Sequence, residues 1–428
     1  MSEKTTNKPR EQWGGRLGFV LATAGSAVGL GNVMKFPYMT GANGGAAFLF
    51  IYLILMVVVG AGMLMADFLI GRNGKAAAIM SYRKINGGFT WMGYLGVFGA
   101  MLAEAYYAIF GGWMMWYIIN SFGALIFHIL TTVIVMGGIK KGIEKASKIM
   151  MPALLVILII LAIRALTLPN VGAGIEYYLK PDFSKVTLPV VAAAIGQVFF
   201  SLNIGTTGMV NYGSYLSDKE DIPKSTLMIV LCDFAVAFLA GLIVIPSAFA
   251  FGIDVGQGPA LLFVTMPALF GNLPLSGLLN LLFFVLLLFA SLTSSVSILE
   301  IFTPNVVELT KGKVDRKKAS IIGSVICMVL GIPVSFSFGM WGDVRILGQD
   351  IFSLYDNFIC IFAYPLIALC TAILVGWVWG KDKAIGAISN NGELDRKFNK
   401  LWFFDVKYIC PILLAVVVFT GLKGFFGF

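Results

Sequence analysis

Long apolar runs separated by short polar stretches repeat along the whole chain. A run of about 20 apolar residues is long enough for a helix to cross a bilayer. Eleven such runs predict transmembrane helices near residues 15–39, 45–71, 91–120, 123–138, 145–167, 188–215, 225–252, 275–309, 319–338, 350–380 and 402–426. The pattern therefore predicts an all-α membrane protein with eleven spans.

Two of these runs are interrupted near their middle by Gly and small polar residues. The first run contains AGSAVGLGN at residues 24–32, and the sixth contains SLNIGTTG at residues 201–208. A helix break there frees backbone groups that cannot stay unpaired in hydrocarbon, so they must line an enclosed cavity or hold a polar ligand. Interrupted helices in corresponding parts of two halves indicate the binding site of a secondary transporter.

Composition and charge agree with a membrane location. Apolar residues make up 58% of the chain, charged residues only 12%, and the mean hydropathy is +0.89, which excludes a soluble protein of ordinary composition. Lys and Arg concentrate before the first run and in the loops near 72–84, 140–148, 219–224, 311–318 and 381–400. By the positive-inside rule, we expect a multi-pass protein of the cell inner membrane with a cytoplasmic N-terminus and an extracytoplasmic C-terminus.

The net charge of +9 is explained by this topology and gives no reason to expect nucleic acid binding. Enzyme chemistry is also not indicated. The single histidine, His128, lies in an apolar run, and no P-loop occurs. The cysteines lie in apolar runs without CxxC spacing and are interpreted as reduced packing residues. They are Cys232, Cys327, Cys360, Cys370 and Cys410.

Several motifs in family order identify a resemblance. They are EQWGGRLG at 11–18, the interrupted segment 24–32, Phe36-Pro37, NGGAAF at 43–48, GIEK at 142–145, GQVFF at 196–200, TMP at 265–267 and LTSS at 292–295. Together they resemble the bacterial amino-acid branch of the neurotransmitter:sodium symporter family. The match extends over most of the chain.

The resemblance implies a LeuT-type fold of two inverted five-helix repeats, with helices 1 and 6 broken at the substrate. Residues 1–168 would form the first repeat, 169–380 the second, and 381–428 a cytoplasmic loop with helix 11. The implied function is a Na⁺-coupled symporter that imports an α-amino acid by alternating access. The implied partners are the amino acid, Na⁺ and the bilayer, and the oligomeric state is not readable from the sequence.

The resemblance also implies two Na⁺ sites built from oxygen ligands, which hard cations prefer. The first would use Ala27, Asn32, Ser201 and Asp233. The second would use carbonyls of Gly25, Val28 and Ala290 with the hydroxyls of Thr293 and Ser294. An Asp within a membrane helix is expensive and usually functional, so we expect Asp233 to supply the anion of the first site. Chloride is then not required.

The implied substrate site consists of Ser26, Ala27, Leu30, Gly31, Ala103, Tyr107, Phe200, Ser201, Asn203, Thr206, Ser294 and Ile298. Gly29 stands where the amine transporters of the family carry an Asp that replaces the substrate carboxylate. The substrate should therefore bring its own carboxylate. Asn203 and Thr206 make the pocket more polar than a leucine site, which favours a neutral amino acid with some side-chain polarity.

Two alternatives remain open at this point. Glu104, beside Ala103 on helix 3, could edge the pocket and receive a cationic amino acid, or it could pair with a neighbouring helix. The protein could also be an amino-acid sensor of the same fold that binds its ligand without transporting it. Accumulation of substrate in vesicles distinguishes a transporter from a sensor.

The resemblance further implies two gates. Lys35 and Asp356 resemble the outer ion pair. Arg10 and Glu308 resemble the inner pair, with Trp13, Tyr215 and Glu300 in support. The loop between helices 3 and 4, at 121–122, is much shorter than in relatives, which fits either a compact variant or residues that are absent from the chain.

Overall fold

A computed structural model describes residues 10–119, 123–255, 266–271, 274–394 and 396–426. Within these ranges the chain is helical, and its β-structure is limited to one isolated bridge between Ile346 and Gln349. The helices are α1 Arg16–Ala27, α2 Gly31–Ala42, α3 Ala46–Gly74, α4 Ala78–Ile85, α5 Thr90–Ile119, α6 Gly123–Met136, α7 Ile139–Leu166, α8 Gly172–Leu179, α9 Leu188–Ser201, α10 Gly208–Ser214, α11 Ile222–Ala250, α12 Met266–Gly271, α13 Ser276–Leu309, α14 Arg316–Ser337, α15 Ile351–Trp379, α16 Lys381–Ile388 and α17 Lys397–Lys423.

Eight helices of the described residues are long and apolar enough to cross a membrane, and the bent pair α1 and α2 can form a ninth span. Two further apolar helices, α6 and α9, lie where the fourth and sixth spans are predicted but are shorter than a full span. The all-helical membrane fold is therefore confirmed. The count of eleven spans stays a prediction, as do the repeat boundaries at residues 168 and 380.

The predicted break in the first span is confirmed between α1 and α2, whose axes differ by 51°. Two glycines at the break are required by close packing. A Cβ on Gly29 would lie 2.2 Å from the Ser294 hydroxyl oxygen, and a Cβ on Gly31 would lie 2.7 Å from the Phe200 ring. Since real Cβ contacts are not this short, glycine lets the broken helix approach both α13 and α9.

The predicted break in the sixth span is confirmed between α9 and α10. Three of its residues have left-handed backbone angles, with φ of 53° at Asn203, 79° at Gly205 and 65° at Thr207. Such conformations cost free energy in residues other than glycine and persist only where surrounding contacts fix them. At Gly205 a Cβ would also lie 2.1 Å from the Tyr364 carbonyl oxygen, so α15 packs directly on the break.

Several membrane helices contain π-helical turns that the apolar pattern does not predict. They cover Gly31–Lys35, Met56–Gly60, Ile139–Glu144, Phe358–Ala363, Leu374–Trp379 and Asp405–Ile409. Each π turn widens the helix and changes which side chains face its neighbours. The last of these turns buries Asp405 against α3, where its Oδ2 would be 2.4 Å from a Cβ on Gly62.

The outer surface of the bundle carries large apolar side chains, as expected for contact with lipid. Val133 is 61% exposed, Ile163 60% and Ile412 65%. Buried aromatic, aliphatic and methionine side chains fill the interior between the helices. The short loop at 121–122 lies outside the described residues.

A close contact between α3 and α10 generates a stability prediction. A Cβ on Gly71 of α3 would lie 1.9 Å from the Val210 carbonyl oxygen of α10. Gly71→Ala should therefore force the two helices apart and destabilise the protein by about 1–3 kcal/mol. Thermal unfolding of the detergent-solubilised protein measures the effect. Gly196→Ala is the matched control, because no described residue outside the local backbone lies within 4 Å of its added Cβ. Equal melting temperatures for the two variants would contradict the prediction.

Candidate functional site

A small cavity of about 30 Å³ lies between the two helix breaks. Its lining residues are Ser26, Ala103, Tyr106, Tyr107, Phe200, Asn203, Thr206, Gly208, Ser297, Ile298, Ile301 and Tyr364. A volume of this size holds about two waters. An amino acid therefore requires the surrounding side chains to move outward.

The predicted substrate residues divide into two groups in this structure. Those that line the cavity are Ser26, Ala103, Tyr107, Phe200, Asn203, Thr206 and Ile298. The others, Ala27, Leu30, Gly31, Ser201 and Ser294, do not line it. Sequence reasoning missed Tyr106, Gly208, Ser297, Ile301 and Tyr364, of which Tyr106 was signalled only by its position beside Tyr107.

The polar groups of Asn203 and Thr206 are largely used by the helix breaks. Asn203 Nδ2 donates to the Ser26 carbonyl oxygen at 2.6 Å and joins the sixth span to the first. The Thr206 hydroxyl donates to the Asn203 carbonyl at 2.8 Å and accepts the Gly208 N–H at 3.1 Å. Among the described residues, Asn203 Oδ1 has no hydrogen-bond donor. One polar atom, rather than two polar side chains, thus remains for a ligand.

The side chains expected at the first Na⁺ site meet at Asp233, which is fully buried. Asn32 Nδ2 donates to Asp233 Oδ1 at 2.8 Å, and the Ser201 hydroxyl donates to Oδ2 at 2.7 Å. The Tyr52 hydroxyl also donates to Oδ2, at 3.4 Å. Sequence reasoning missed Tyr52, whose only signal was a phenol within an apolar helix. The cluster joins α2, α3, α9 and α11 through one carboxylate.

The groups expected at the second Na⁺ site lie between α1 and α13. The Thr293 hydroxyl oxygen is 3.4 Å from the Val28 carbonyl oxygen and 3.1 Å from that of Ala290. The Ser294 hydroxyl donates to the Ser26 carbonyl at 3.3 Å. A Cβ on Gly25 would lie 3.5 Å from Thr293 Cβ. Neutral oxygens thus converge from both helices, and this donor set fits a hard monovalent cation.

At the predicted cytoplasmic end, the expected inner pair is in contact. Arg10 binds Glu308, and its Nη2 donates to the Ser214 hydroxyl at 2.7 Å. The Arg10 guanidinium also lies 4.7 Å from the centre of the Tyr215 ring. Glu308 accepts the Ala77 N–H at 2.8 Å. The ion pair therefore connects the N-terminal segment to three other parts of the bundle.

A second set of contacts strengthens this end. The Trp13 indole N–H donates to the Tyr212 carbonyl at 3.1 Å, and the Trp13 ring packs on Tyr215. The Tyr215 hydroxyl donates to Glu300 at 2.8 Å, and Glu300 also binds Arg316. Arg316 and Ser214 were not predicted as gate residues. The supporting residues that were predicted, Trp13, Tyr215 and Glu300, are brought together.

The expected outer pair is separated in this structure. Within the described residues, Lys35 and Asp356 do not come within ion-pair distance, although both line a second cavity of about 220 Å³. Lys35 Nζ lies 4.2 Å from the centre of the Phe200 ring, and Asp356 accepts the Tyr106 hydroxyl at 3.2 Å. Phe200 and Tyr364 border both cavities. The inner end is thus closed, while these two rings separate the central cavity from the outer one.

Glu104 lies outside the residues that line the central cavity. Its carboxylate accepts a hydrogen bond from the Ser295 hydroxyl of α13. Of the two sequence alternatives for this residue, the geometry fits contact with a neighbouring helix.

Comparisons with known proteins agree with this geometry. The family model described as the sodium:neurotransmitter symporter family matches residues 10–126 and 124–426. An uncharacterized sodium-dependent transporter of Bacillus subtilis (strain 168), YhdH, is 34% identical over 97% of this chain and 98% of its own length. A Haemophilus influenzae protein with the same description is 35% identical over 98% of this chain and 99% of its own length.

The crystal structure of MhsT in complex with L-phenylalanine is similar in fold. It superposes with a TM-score of 0.89 at 36% identity and covers 96% of this chain and 100% of that chain. The chain belongs to the sodium:neurotransmitter symporter family and has its LeuT-type fold. It is a sodium-coupled secondary transporter of the membrane and not an enzyme.

The closed inner end generates the next prediction. Arg10→Ala removes the ion pair with Glu308 and a hydrogen bond to Ser214. The side chains of Arg10 and Glu308 are 21% and 24% exposed. Because charge-assisted hydrogen bonds contribute about 1.5–3 kcal/mol, amide hydrogen exchange over residues 13–22 should become about tenfold faster or more. Lys180→Ala is the control, since its pair with Glu176 is exposed. Unchanged exchange in the Arg10 variant would show that this pair does not close the inner end.

Proposed function

We propose that the protein imports a neutral α-amino acid together with Na⁺ by alternating access, with Na⁺ bound at two sites. The observation that carries this proposal is that both helix breaks meet at one small cavity, while Asp233, Thr293 and Ser294 contact the broken helices themselves. Two clusters of oxygen atoms lie at the broken helices. The cluster at Asp233 contains a carboxylate, and the cluster at Thr293 and Ser294 contains neutral groups only. Each is suited to a hard cation.

The substrate carboxylate should bind beside the first Na⁺. Leu30 directly precedes α2 and Gly31 is its first residue. At this end of a helix, backbone N–H groups lack intrahelical acceptors and the helix dipole is positive. The Tyr107 hydroxyl lines the cavity and has no protein partner among the described residues. A Cβ added to Gly29 would lie 3.6 Å from the Tyr107 hydroxyl oxygen. Gly29 therefore leaves this space for a carboxylate carried by the substrate.

The side chain of the substrate should be polar. Asn203 Oδ1 is the polar atom left without a donor, and Thr206 and Ala103 occupy little volume. Burying Asn203 Oδ1 against a purely aliphatic ligand would cost about 1–3 kcal/mol. Serine-like, threonine-like or asparagine-like substrates fit this requirement. The similar structure of MhsT is a complex with L-phenylalanine. A preference for polar side chains therefore distinguishes the present chain from that neighbour.

The arrangement of gates supports alternating access. The inner contacts of Arg10, Trp13 and Glu308 are closed, whereas Lys35 and Asp356 are apart. We propose that Lys35 and Asp356 approach each other over bound substrate and that the inner contacts then open. We propose that the inner contacts and the N-terminus face the cytoplasm, which the basic loops support, and that the membrane is the cell inner membrane.

Transport by proteoliposomes tests this function. Purified wild-type protein should accumulate radiolabelled serine or threonine above equilibrium when external Na⁺ is supplied and not when K⁺ replaces it. Competition by leucine or phenylalanine should be about tenfold weaker, as an unpaired Asn203 acceptor implies. Preference for leucine would show that Asn203 does not face the ligand. Preference for lysine would support the cationic alternative, and binding without accumulation would indicate a sensor.

The charge of Asp233 gives a separate prediction about chloride. Because a fixed carboxylate supplies the anion, wild-type uptake should be equal in sodium chloride and sodium gluconate. Asp233→Asn removes that charge from a fully buried site, so uptake should be lost or should become dependent on chloride. Asp182→Asn, in an exposed loop, is the matched control. A chloride requirement in the wild-type protein would contradict the assignment of Asp233.

A further inference from the structure

A carboxylic acid within the membrane core is not explained by the proposed sites. Glu104 of α5 is only 1% exposed. Its Oε1 accepts a hydrogen bond from the Ser295 hydroxyl of α13. Its Oε2 is buried and has no hydrogen-bond partner among the residues that the structure describes. The carboxyl group thus has one donor for its two oxygens.

No positive charge compensates Glu104 among the described residues. None of the ion pairs includes it. The titratable groups that face it are Tyr107 on its own helix and Cys327 on α14. On α6, His128 lies one turn before Thr131 and contacts Ser324 instead. Helices α4, α13 and α15 also pack on α5, and among their described residues only Ser295 interacts with Glu104.

An ionised carboxylate in this position would be unpaired at one oxygen and uncompensated in charge. Such burial is costly in a medium of low dielectric constant. A proton on Oε2 removes the charge and leaves Oε1 to accept from Ser295. The geometry therefore favours the protonated acid whenever no other positive charge is close.

The second proposed Na⁺ site is adjacent along α13 to Ser295, the residue that donates a hydrogen bond to Glu104. Ser295 follows directly after Thr293 and Ser294, and its hydroxyl oxygen is 3.0 Å from that of Thr131. A Na⁺ held by Thr293 and Ser294 would place a positive charge one residue away from the donor that Glu104 uses. Within a low-dielectric interior, such a charge stabilises a carboxylate and opposes its proton.

We propose that Glu104 is a proton-binding site whose proton is exchanged for the Na⁺ of the second site. When Na⁺ binds, the O–H bond at Oε2 breaks, the proton leaves to bulk water, and the carboxylate keeps the hydrogen bond from Ser295. When Na⁺ leaves, a proton from water binds again. This inference depends on the proposed Na⁺ site at Thr293 and Ser294. By linkage, a proton on Glu104 then lowers Na⁺ affinity, and low pH should weaken Na⁺ binding.

Direct binding of radioactive ²²Na⁺ to purified protein tests the proposal without requiring knowledge of the substrate. Wild-type protein should bind Na⁺ about tenfold more tightly at about pH 8.5 than at about pH 5.5. Glu104→Gln retains an acceptor for Ser295 and a donor in place of the acidic proton. It should therefore bind Na⁺ at both pH values as weakly as the wild type does at low pH.

Proton release gives the second measurement. Adding Na⁺ to wild-type protein in weakly buffered solution with a pH indicator should release protons, and Glu104→Gln should release none. Asp67 of α3 is the matched comparison, because it is another 1% exposed acid with an unpartnered oxygen. Asp67→Asn should keep the pH dependence.

Each other outcome has a distinct meaning. A pH-independent wild type, an unchanged pH profile in Glu104→Gln, or loss of the pH dependence in Asp67→Asn alone would overturn the role of Glu104 while leaving Na⁺ coupling intact. Absence of ²²Na⁺ binding at every pH would instead refute the proposed function on which this inference depends.

Discussion

The backbone groups freed at the two helix breaks are the constraint on which the rest of the structure depends. In an apolar interior each of these groups must find a partner, and side chains from other helices provide one. Asn203 donates to the Ser26 carbonyl, Gln197 donates to the Gly31 carbonyl at 2.8 Å, and Thr293 lies beside the Val28 carbonyl. The breaks are therefore held by long-range hydrogen bonds between distant segments of the chain in addition to the local bonds of Thr206.

The same groups explain how ions and substrate can be coupled. A cation bound by the Val28 carbonyl and the Thr293 hydroxyl would take over contacts that now join α1 to α13. A cation beside Asp233 would likewise interact with a carboxylate that already joins four helices. Ligand binding and the relative position of the helices are then linked in free energy, and the linkage is reciprocal. A broken helix gives this coupling because its polar atoms are available to both ligands.

The two ends of the bundle are stabilised by different interactions. At the inner end, charged and aromatic groups of distant segments are in contact around Arg10, Trp13 and Glu300. At the outer end, Lys35 packs on the Phe200 ring and Asp356 accepts from Tyr106, so each charge of the expected pair has another partner. A lysine lacks bidentate geometry, which makes such an exchange of partners easier.

The sequence by itself determined the class of protein, the interrupted helices and the unusual acids, because these depend on the length of apolar runs and on local Gly content. It also indicated Asn32, Ser201 and Asp233 through the family resemblance. Only the tertiary structure decided that Tyr52 reaches Asp233, that Arg316 reaches Glu300, and that Glu104 contacts Ser295, 191 residues away. The direction of a side chain around its helix is set by the packing of all neighbouring helices and by π turns. Local sequence contains neither of these.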